Sequence, residues 1–240
     1  MGEHSSVDSY LKRTGFGAFA PKSVLFDMDG VLIDSMPNHA VAWQRSMASF
    51  QIRMTEADAY ATEGARGIDT IRKMVKEQTG RDISLDEAQA MYDEKTRQFG
   101  LLPTAPVMDG ARELQEQIHT DGLQICIVTG SGQRPLIHRL LTEFLYVTED
   151  RIVTAYDVTR GKPDPEPYQK GMSICGTAPW ETIVVENAPL GIMAGHAAKA
   201  FTIGVNTGPL PDSMLWEAGA DLVLPSLRAL LQRWPLITQS

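Results

Sequence analysis

Six short, continuously apolar runs are the feature of this 240-residue sequence that most restricts its fold. They lack the apolar–polar alternation of half-exposed strands and are typical of strands covered on both faces of a sheet. The runs occupy residues 23–27, 124–129, 151–155, 182–186, 201–205 and 221–225. Stretches with helical spacing, such as Ala111, Leu114 and Ile118, separate most of them. This alternation predicts an α/β fold with a doubly wound parallel sheet.

The first interval breaks the alternation, because no β-rich run occurs between Ser35 and Pro103. Helical patterns cover residues 38–50, 55–61, 67–79 and 84–98 instead. Ser84, with Glu87 three residues later, has the signature of a helix N-cap. The predicted organisation is an N-terminal extension at 1–20 containing a short helix, a core at 21–36 and 104–240, and a helical insertion at 37–103.

Composition excludes several classes of protein. The formal net charge of −8 and the isoelectric point of about 5.1 argue against a nucleic-acid-binding protein, which carries a basic face. No apolar run reaches the ~18 residues that a membrane span requires, and the first twenty residues lack the apolar centre of a signal peptide. Cys126 and Cys175 lie in apolar segments and are expected to be buried free thiols, which suits a reducing compartment. We therefore expect a cytoplasmic, monomeric protein.

Polar residues follow four of the predicted strands. The clusters are Asp27 and Asp29, then Thr129-Gly130-Ser131-Gly132, then Lys162, and finally Glu186 with Asn187. Ligands bind at the carboxyl ends of the strands in an open α/β sheet. Each cluster alone is unspecific, since an Asp-x-Asp is as often a turn or a helix cap. Four clusters after four strands indicate one shared site.

The chemistry of these clusters fits phosphoryl transfer. Two close carboxylates repel each other, and Mg²⁺ offsets that repulsion while binding phosphate oxygens. One carboxylate can attack phosphorus, while the other protonates the leaving group and then activates water. Thr129 and the backbone N–H groups of its glycine-rich loop can bind the transferring oxygens. Lys162 can neutralise the remaining charge.

Four stretches, "FDMDGVLIDS", "VTGSGQ", "GKPDPEPY" and "VVENAPLGIMAG", resemble the motifs of the haloacid dehalogenase superfamily of phosphotransferases. The helical insertion resembles the C1-type cap of the β-phosphoglucomutase-like branch, which includes inorganic pyrophosphatases. The resemblance implies that Asp27 is the nucleophile and Asp29 the general acid/base. It implies that Thr129, with Gly130 and Ser131, and Lys162 hold the phosphoryl group.

The resemblance also implies a Mg²⁺ site. Its ligands are expected to be the Asp27 side chain, the Asp29 main-chain carbonyl and the Glu186-Asn187 pair. The family usually has Asp where this chain has Asn187, so the site carries one negative charge fewer. Asn187 is otherwise a cap of the helix that begins near Pro189. Glu63 of the insertion is a candidate for the missing charge, and its alternative is a solvent-facing loop residue.

Further residues of the insertion are candidate substrate ligands. Arg66 lies in a turn that resembles the specificity loop of the sugar-phosphate mutases, where an arginine holds a distal phosphate. His39 matches a histidine that orients the acid/base aspartate in the mutase, although a partly buried helix residue is the alternative. Lys95 points either to the substrate or to solvent. Gln133 and Arg134, after the second motif, are weaker candidates.

The predicted function is a Mg²⁺-dependent phosphohydrolase that acts through an aspartyl phosphate on a small phosphorylated substrate. Inorganic pyrophosphate is the substrate that Glu63 and Asn187 favour. The first alternative is a β-phosphoglucomutase, which Lys95, Arg66 and His39 favour. The second is a non-catalytic phosphate sensor, against which the complete set of polar clusters argues.

Overall fold

The computed structural model describes residues 3–131 and 134–238, and these form one six-stranded parallel sheet. Each predicted apolar run contributes one strand, which confirms the predicted fold class. The strands are β1 (Ser23–Phe26), β2 (Gln124–Val128), β3 (Ile152–Val153), β4 (Thr182–Glu186), β5 (Phe201–Val205) and β6 (Leu222–Leu224). Their order across the sheet is β3-β2-β1-β4-β5-β6, with every pair parallel.

Strand β1 lies where the strand order reverses, between β2 and β4. Phe26 at its end is in register with Ile127 of β2 and Val185 of β4. All four residues of β1 are buried, as its continuous apolar run predicts. Ligands bind at such a switch point, outside the carboxyl ends of the strands. The residues that follow β1, β2 and β4 are therefore brought to one edge of the sheet.

Helices cover both faces of the sheet. In chain order they are α1 (Glu3–Thr14), α2 (Met36–Ser49), α3 (Glu56–Ala61), α4 (Gly67–Thr79), α5 (Leu85–Gly100), α6 (Ala111–Thr120), α7 (Arg134–Glu143), α8 (Glu166–Cys175), α9 (Pro189–Ala197), α10 (Asp212–Glu217) and α11 (Leu227–Thr238). One buried cluster includes Tyr10, Leu114 and Trp234, and a second one, on α8 and the sheet, includes Tyr168 and Met172. Apolar side chains are thus needed on both faces of the strands, which explains why the strands do not alternate.

The helical insertion consists of α2 to α5 and has a hydrophobic cluster of its own. That cluster includes Trp43, Met47 and Ile71. The Ser84 hydroxyl accepts a hydrogen bond from the Glu87 N–H at 3.1 Å, which confirms the predicted N-cap of α5. The division of the chain into an extension, a core and an insertion with the predicted boundaries stays a prediction.

The two connections between the core and the helical insertion pair with each other. Ile33 and Val107 form an antiparallel bridge. On either side of it, the Asp34 N–H donates to the Pro106 carbonyl and the Met108 N–H to the Leu32 carbonyl, both at 2.9 Å. The chain thus leaves and re-enters the core through one short two-stranded segment.

The N-terminal extension is attached to the core by α1. The Tyr10 hydroxyl donates to the carbonyls of Lys199 at 3.0 Å and Pro179 at 3.2 Å, and Arg13 pairs with the buried Asp221 at 2.9 Å. Cys126 and Cys175 are buried and free, as predicted. Among the helices in the described ranges, none has both the length and the apolar character needed to cross a membrane.

Candidate active site

Asp27, the first residue after β1, meets Lys162 at the carboxyl edge of the sheet. Its N–H donates to the Val185 carbonyl at 3.0 Å, so the strand pairing fixes its backbone. Its carboxylate accepts a hydrogen bond from Lys162 Nζ at 2.5 Å. The same ammonium group donates to Glu186 Oε1 at 2.6 Å and to the Val128 carbonyl at 2.9 Å. Groups at the carboxyl ends of three neighbouring strands therefore converge on one buried cation.

Asp27 and Lys162 belong to a cluster of buried charged groups. Burial raises the pKa of Asp27 to about 8, Lys162 opposes this, and the carboxylates of Glu186 and Asp29 add to it. Burial alone would lower the pKa of Lys162, but its ion pairs with Asp27 and Glu186 raise it above the ordinary value. Lys162 is thus a fixed cation, and the ionised form of Asp27 depends on the positive charge around it.

Glu186 uses both carboxylate oxygens within the protein. Oε1 accepts hydrogen bonds from Lys162 and from the Tyr168 hydroxyl, the latter at 2.7 Å. Oε2 accepts from the N–H groups of Asn187 at 3.1 Å and Ala188 at 3.4 Å. This geometry makes Glu186 a support for Lys162.

Asp29 lies in a tight turn after Asp27 and has a separate set of partners. The turn includes Gly30 with φ +77°, a conformation that suits glycine. Asp29 Oδ1 accepts a hydrogen bond from the Ser35 hydroxyl at 2.5 Å and lies 3.1 Å from His39 Nε2. Burial would raise the pKa of Asp29, but His39, Ser35 and the more distant Lys95 together lower it.

His39 connects Asp29 to Lys95 of α5. Lys95 Nζ lies 2.7 Å from His39 Nδ1, so the ammonium donates to this nitrogen and leaves the Nε2 proton for Asp29. Lys95 is 2 % exposed and lies over the rings of Trp43 and Phe99, each with its centroid 5.2 Å away. Burial lowers the pKa of Lys95 to about 8 and that of His39 below its usual value, with the Lys95 charge adding to the latter. Lys95 therefore faces the site rather than solvent.

The loop after β2 contacts the helical insertion. The Thr129 N–H donates to the Val153 carbonyl at 2.9 Å, and its hydroxyl accepts from the Ser131 N–H at 3.0 Å. A Cβ at Gly130 would lie 2.6 Å from the Gly64 carbonyl oxygen, so this position admits only glycine in the present arrangement. Gly132 and Gln133 lie outside the described residues.

Glu63 and Asn187 join the insertion to the core at the site. Asn187 Nδ2 donates to Glu63 Oε1 at 2.7 Å, and both side chains are buried. Burial raises the pKa of Glu63 well above its usual value; the Asn187 hydrogen bond opposes this, and Asp27 adds to it. Glu63 is therefore a site residue and not a solvent-facing one.

Arg66 is turned away from the site. Its guanidinium donates to Asp69 at 2.8 Å and to the Thr159 carbonyl at 2.7 Å, which ties the helical insertion to the core loop before Lys162. Arg66 does not contribute to the cavity that contains Asp27. Its predicted role as a ligand of a second phosphate stays untested, and in this conformation the side chain has other partners.

Several of the predicted residues line a small cavity between the insertion and the core, whereas Thr129, Lys162, Glu186 and Asn187 lie outside its wall. The cavity has a volume of about 60 Å³. Its wall includes Asp27, Asp29, His39, Glu63, Lys95 and Ser131. Each water needs roughly 10–15 Å³ on such a measure, so the cavity has room for a few waters or one small group.

Residues around the site that were not among the sequence-predicted ones include Ser35, Tyr168 and Tyr92. Ser35 and Tyr168 hydrogen-bond to Asp29 and Glu186, respectively. Both belong to stretches quoted for the family motifs, so the motifs contain the signal that could have indicated them. Tyr92 contributes to the cavity wall from α5, and no motif indicates it.

The donor set fits a hard divalent cation. Asn187 Oδ1 is buried and has no hydrogen-bond partner among the described residues, so it is an orphaned oxygen on the side chain that donates to Glu63. The described residues contain no group of three His, Cys, Asp or Glu side chains arranged for a metal. Mg²⁺ needs few carboxylates and accepts amide and main-chain oxygens and water. The orphaned amide oxygen and the buried carboxylates of Asp27 and Glu63 together meet this requirement.

The fold and the site define a phosphoryl-transfer enzyme of the α/β class, with the Asp27 and Asp29 carboxylates, a fixed lysine and a glycine-containing loop at the switch point of the sheet. Residues 24–205 match the haloacid dehalogenase-like hydrolase family. This chain belongs to that family, which confirms the resemblance read from its motifs.

Relatives of known activity include phosphatases. The chain is 33% identical over 206 residues to hexitol phosphatase A of Escherichia coli, with 86% of this chain and 91% of the relative covered. It is 32% identical over 223 residues to validoxylamine A 7'-phosphate phosphatase of Streptomyces hygroscopicus subsp. limoneus, covering 91% and 99%. A solved β-phosphoglucomutase-like protein of Bacteroides vulgatus has a TM-score of 0.95 and 41% identity, covering 99% of this chain and 97% of that one.

Proposed function

We propose that this protein is a metal-dependent phosphohydrolase that acts through an aspartyl phosphate on Asp27. The observation that carries the proposal is that two neighbouring carboxylates, the buried Asp27 and the half-buried Asp29, have different partners. Asp27 is bound to Lys162 at 2.5 Å, whereas Asp29 is bound to Ser35 at 2.5 Å and lies 3.1 Å from His39. These different partners support Asp27 as the nucleophile and Asp29 as the group that moves a proton.

The reaction has two halves. In the first, an Asp27 oxygen attacks phosphorus, the bond from phosphorus to the leaving oxygen breaks, and that oxygen takes a proton from Asp29. In the second, Asp29 takes a proton from water as the water oxygen attacks the aspartyl phosphate, and the Asp27 carboxylate is restored. Lys162 and Thr129 hold the transferring oxygens, which fits catalysis by positioning and electrostatics.

A Mg²⁺ ion would be held by the Asp27 carboxylate, the Asp29 main-chain carbonyl and Asn187 Oδ1. Glu63 is the fourth proposed ligand, directly or through water, and its buried carboxylate supplies the charge that Asn187 lacks. When bound, the ion would neutralise charge on the carboxylates and the phosphoryl oxygens. The orphaned Asn187 oxygen supports this assignment. Glu186 is proposed to orient Lys162.

Inorganic pyrophosphate is the substrate that the geometry favours. The small volume of the cavity, about 60 Å³, supports a substrate with a small leaving group. Glu63 lies in the wall of the cavity. Its carboxylate would repel the second phosphate group of a phosphorylated sugar, but it could reach a metal ion. None of the relatives named above acts on pyrophosphate by its name, so this substrate is supported by the geometry alone.

Phosphorylated sugars or polyols are the second candidate class. The names of the two phosphatase relatives favour it, and the structural neighbour of Bacteroides vulgatus favours a β-phosphoglucomutase. The contacts of His39 with Asp29 and Lys95 support this candidate. The Arg66 guanidinium, which a bisphosphate would require, is instead bound to Asp69 and Thr159.

Phosphate release measured with Mg²⁺ on a substrate panel tests the proposal. The panel contains pyrophosphate, sugar and polyol phosphates, and β-glucose 1-phosphate with its bisphosphate activator. We expect release from at least one compound, no turnover by Asp27→Asn, and the largest kcat/KM for pyrophosphate. Unchanged turnover in Asp27→Asn would refute the mechanism. Formation of glucose 6-phosphate without release of phosphate would refute the hydrolase and support the β-phosphoglucomutase.

A further inference from the structure

A second, larger cavity lies beside the catalytic one, between α5 of the helical insertion and α7 of the core. This lateral groove has a volume of about 560 Å³. It is formed by residues of α5, α7 and two connecting segments, including Tyr92, Thr96, Phe99, Leu136, Arg139 and Tyr156. Tyr92 belongs to the walls of both the groove and the catalytic cavity.

The Tyr92 ring is fixed by its surroundings. A Cβ at Gly67 would lie 3.1 Å from Tyr92 Cζ and closer still to the edge of the ring, so the ring packs directly on the first residue of α4. Its centroid is 6.4 Å from that of Trp43 and 5.9 Å from Lys95 Nζ. Neighbours from α2, α4 and α5 therefore hold the ring in one place.

The position of the leaving group follows from the catalytic residues. Asp29 has to reach the leaving oxygen, and it shares the small cavity with Trp43, Tyr92 and Lys95. The leaving group must therefore extend from Asp29 toward these side chains. Pockets for organic ligands generally have volumes of about 300–1,000 Å³. The catalytic cavity is smaller than this range, whereas the lateral groove falls within it.

We propose that Tyr92 is a specificity-determining residue that limits the size of the leaving group by closing the catalytic cavity off from the lateral groove. The inference rests on the proposed phosphohydrolase function and adds the feature that selects small substrates. Such selection acts by steric exclusion of the larger competitor.

The walls of the lateral groove indicate which substrates would gain access without the ring. Phe99 and Tyr156 provide aromatic surface, and Thr96 and Thr104 provide hydroxyl groups. Arg139 adds a cation whose contact with Glu143 is 3.6 Å long. Aromatic faces beside hydrogen-bonding groups suit a polyhydroxylated chain, so phosphorylated polyols are the class that Tyr92 excludes.

The test uses three substrates with leaving groups of increasing size: pyrophosphate, glycerol 3-phosphate and glucitol 6-phosphate. The ratio of kcat/KM for glucitol 6-phosphate to that for pyrophosphate is measured in the wild type, Tyr92→Ala and Tyr92→Phe. We expect this ratio to rise roughly tenfold or more in Tyr92→Ala, because removal of the ring relieves the steric exclusion of the larger leaving group. Tyr92→Phe keeps the ring and should keep the wild-type ratio.

A binding experiment separates this inference from the proposed function. The affinity for glucitol 6-phosphate is measured by calorimetry in Asp27→Asn and in Asp27→Asn with Tyr92→Ala, which needs no turnover. Tighter binding in the double variant supports the size limit even if the wild type hydrolyses none of the three compounds. Equal binding, or an equal change of the ratio in Tyr92→Phe and Tyr92→Ala, overturns it. If Tyr92→Ala does not fold, Tyr92→Val is the replacement and is judged by the same criteria.

Discussion

The buried Lys95 predicts a specific dependence of stability on pH. Burial lowers its pKa from 10.5 to about 8. Between these two values the unfolded chain binds the Lys95 proton and the folded protein does not, so stability must rise with pH in this window. This lowering of the Lys95 pKa destabilises the folded protein by about 3 kcal/mol when the lysine is charged. Between pH 7 and pH 10 the unfolding free energy should recover about 2–3 kcal/mol of this amount.

Urea unfolding at pH 7 and pH 10 measures this effect when Lys95→Met is used as a reference. Groups other than Lys95 and its neighbours His39 and Asp29 titrate alike in the two proteins, so the difference between their unfolding free energies reports Lys95 together with its effect on these two neighbours. Between pH 7 and pH 10, we expect the unfolding free energy of the wild type to rise by about 2–3 kcal/mol more than that of Lys95→Met. Lys73→Met, which removes a lysine of α4 with a 60% exposed side chain, is the control and should follow the wild type.

The absolute stability of Lys95→Met at pH 7 is not the criterion, because the substitution also removes the hydrogen bond to His39 at 2.7 Å. Only the change of the difference with pH reports the buried charge. A difference that stays constant from pH 7 to pH 10 would show that Lys95 is not charged and buried as described, and the reasoning would fail.

Two further substitutions test the contact between the insertion and the site. Gly130→Ala places a Cβ 2.6 Å from the Gly64 carbonyl oxygen, so the contact of the insertion with the core should cost about 1–3 kcal/mol more. We expect kcat/KM to fall about tenfold or more in this variant. Gly100→Ala, whose Cβ has no neighbour within contact distance, is the control and should keep the wild-type kcat/KM. Glu63→Gln should weaken Mg²⁺ binding, measured by calorimetry, by about tenfold or more. Glu77 is exposed, so Glu77→Gln is the control and should bind Mg²⁺ as the wild type does. Equal Mg²⁺ affinity in both variants would exclude Glu63 as a ligand.

The sheet was predictable because a strand buried on both faces is encoded in its own few residues. All six apolar runs form strands, although β3 is only Ile152–Val153 where residues 151–155 were predicted. This strand lies at the edge of the sheet and has one partner, so pairing extends it less. Asp27 could be placed from sequence for the same reason, since the end of a strand fixes the residue that follows it.

Contacts between the helical insertion and the core were not predictable in the same way. Glu63 and Asn187 are 124 residues apart, and their hydrogen bond exists only after the insertion docks on the core. The direction of Lys95 was open for the same reason, because helical spacing alone does not show whether its face meets His39 or water. Arg66 was expected to face a substrate, and the structure gives it Thr159 of the core instead.

The paired connections at Ile33 and Val107 have a mechanical consequence. Two separate tethers would let the insertion tilt, slide and rotate over the sheet, whereas a hydrogen-bonded pair restricts the torsions of both. An opening movement of the insertion would then be confined to rotation about one axis. Glu63 would return to Asn187 in the same orientation each time. With Glu63 as the proposed Mg²⁺ ligand, expulsion of water and completion of the cation site would become a single event.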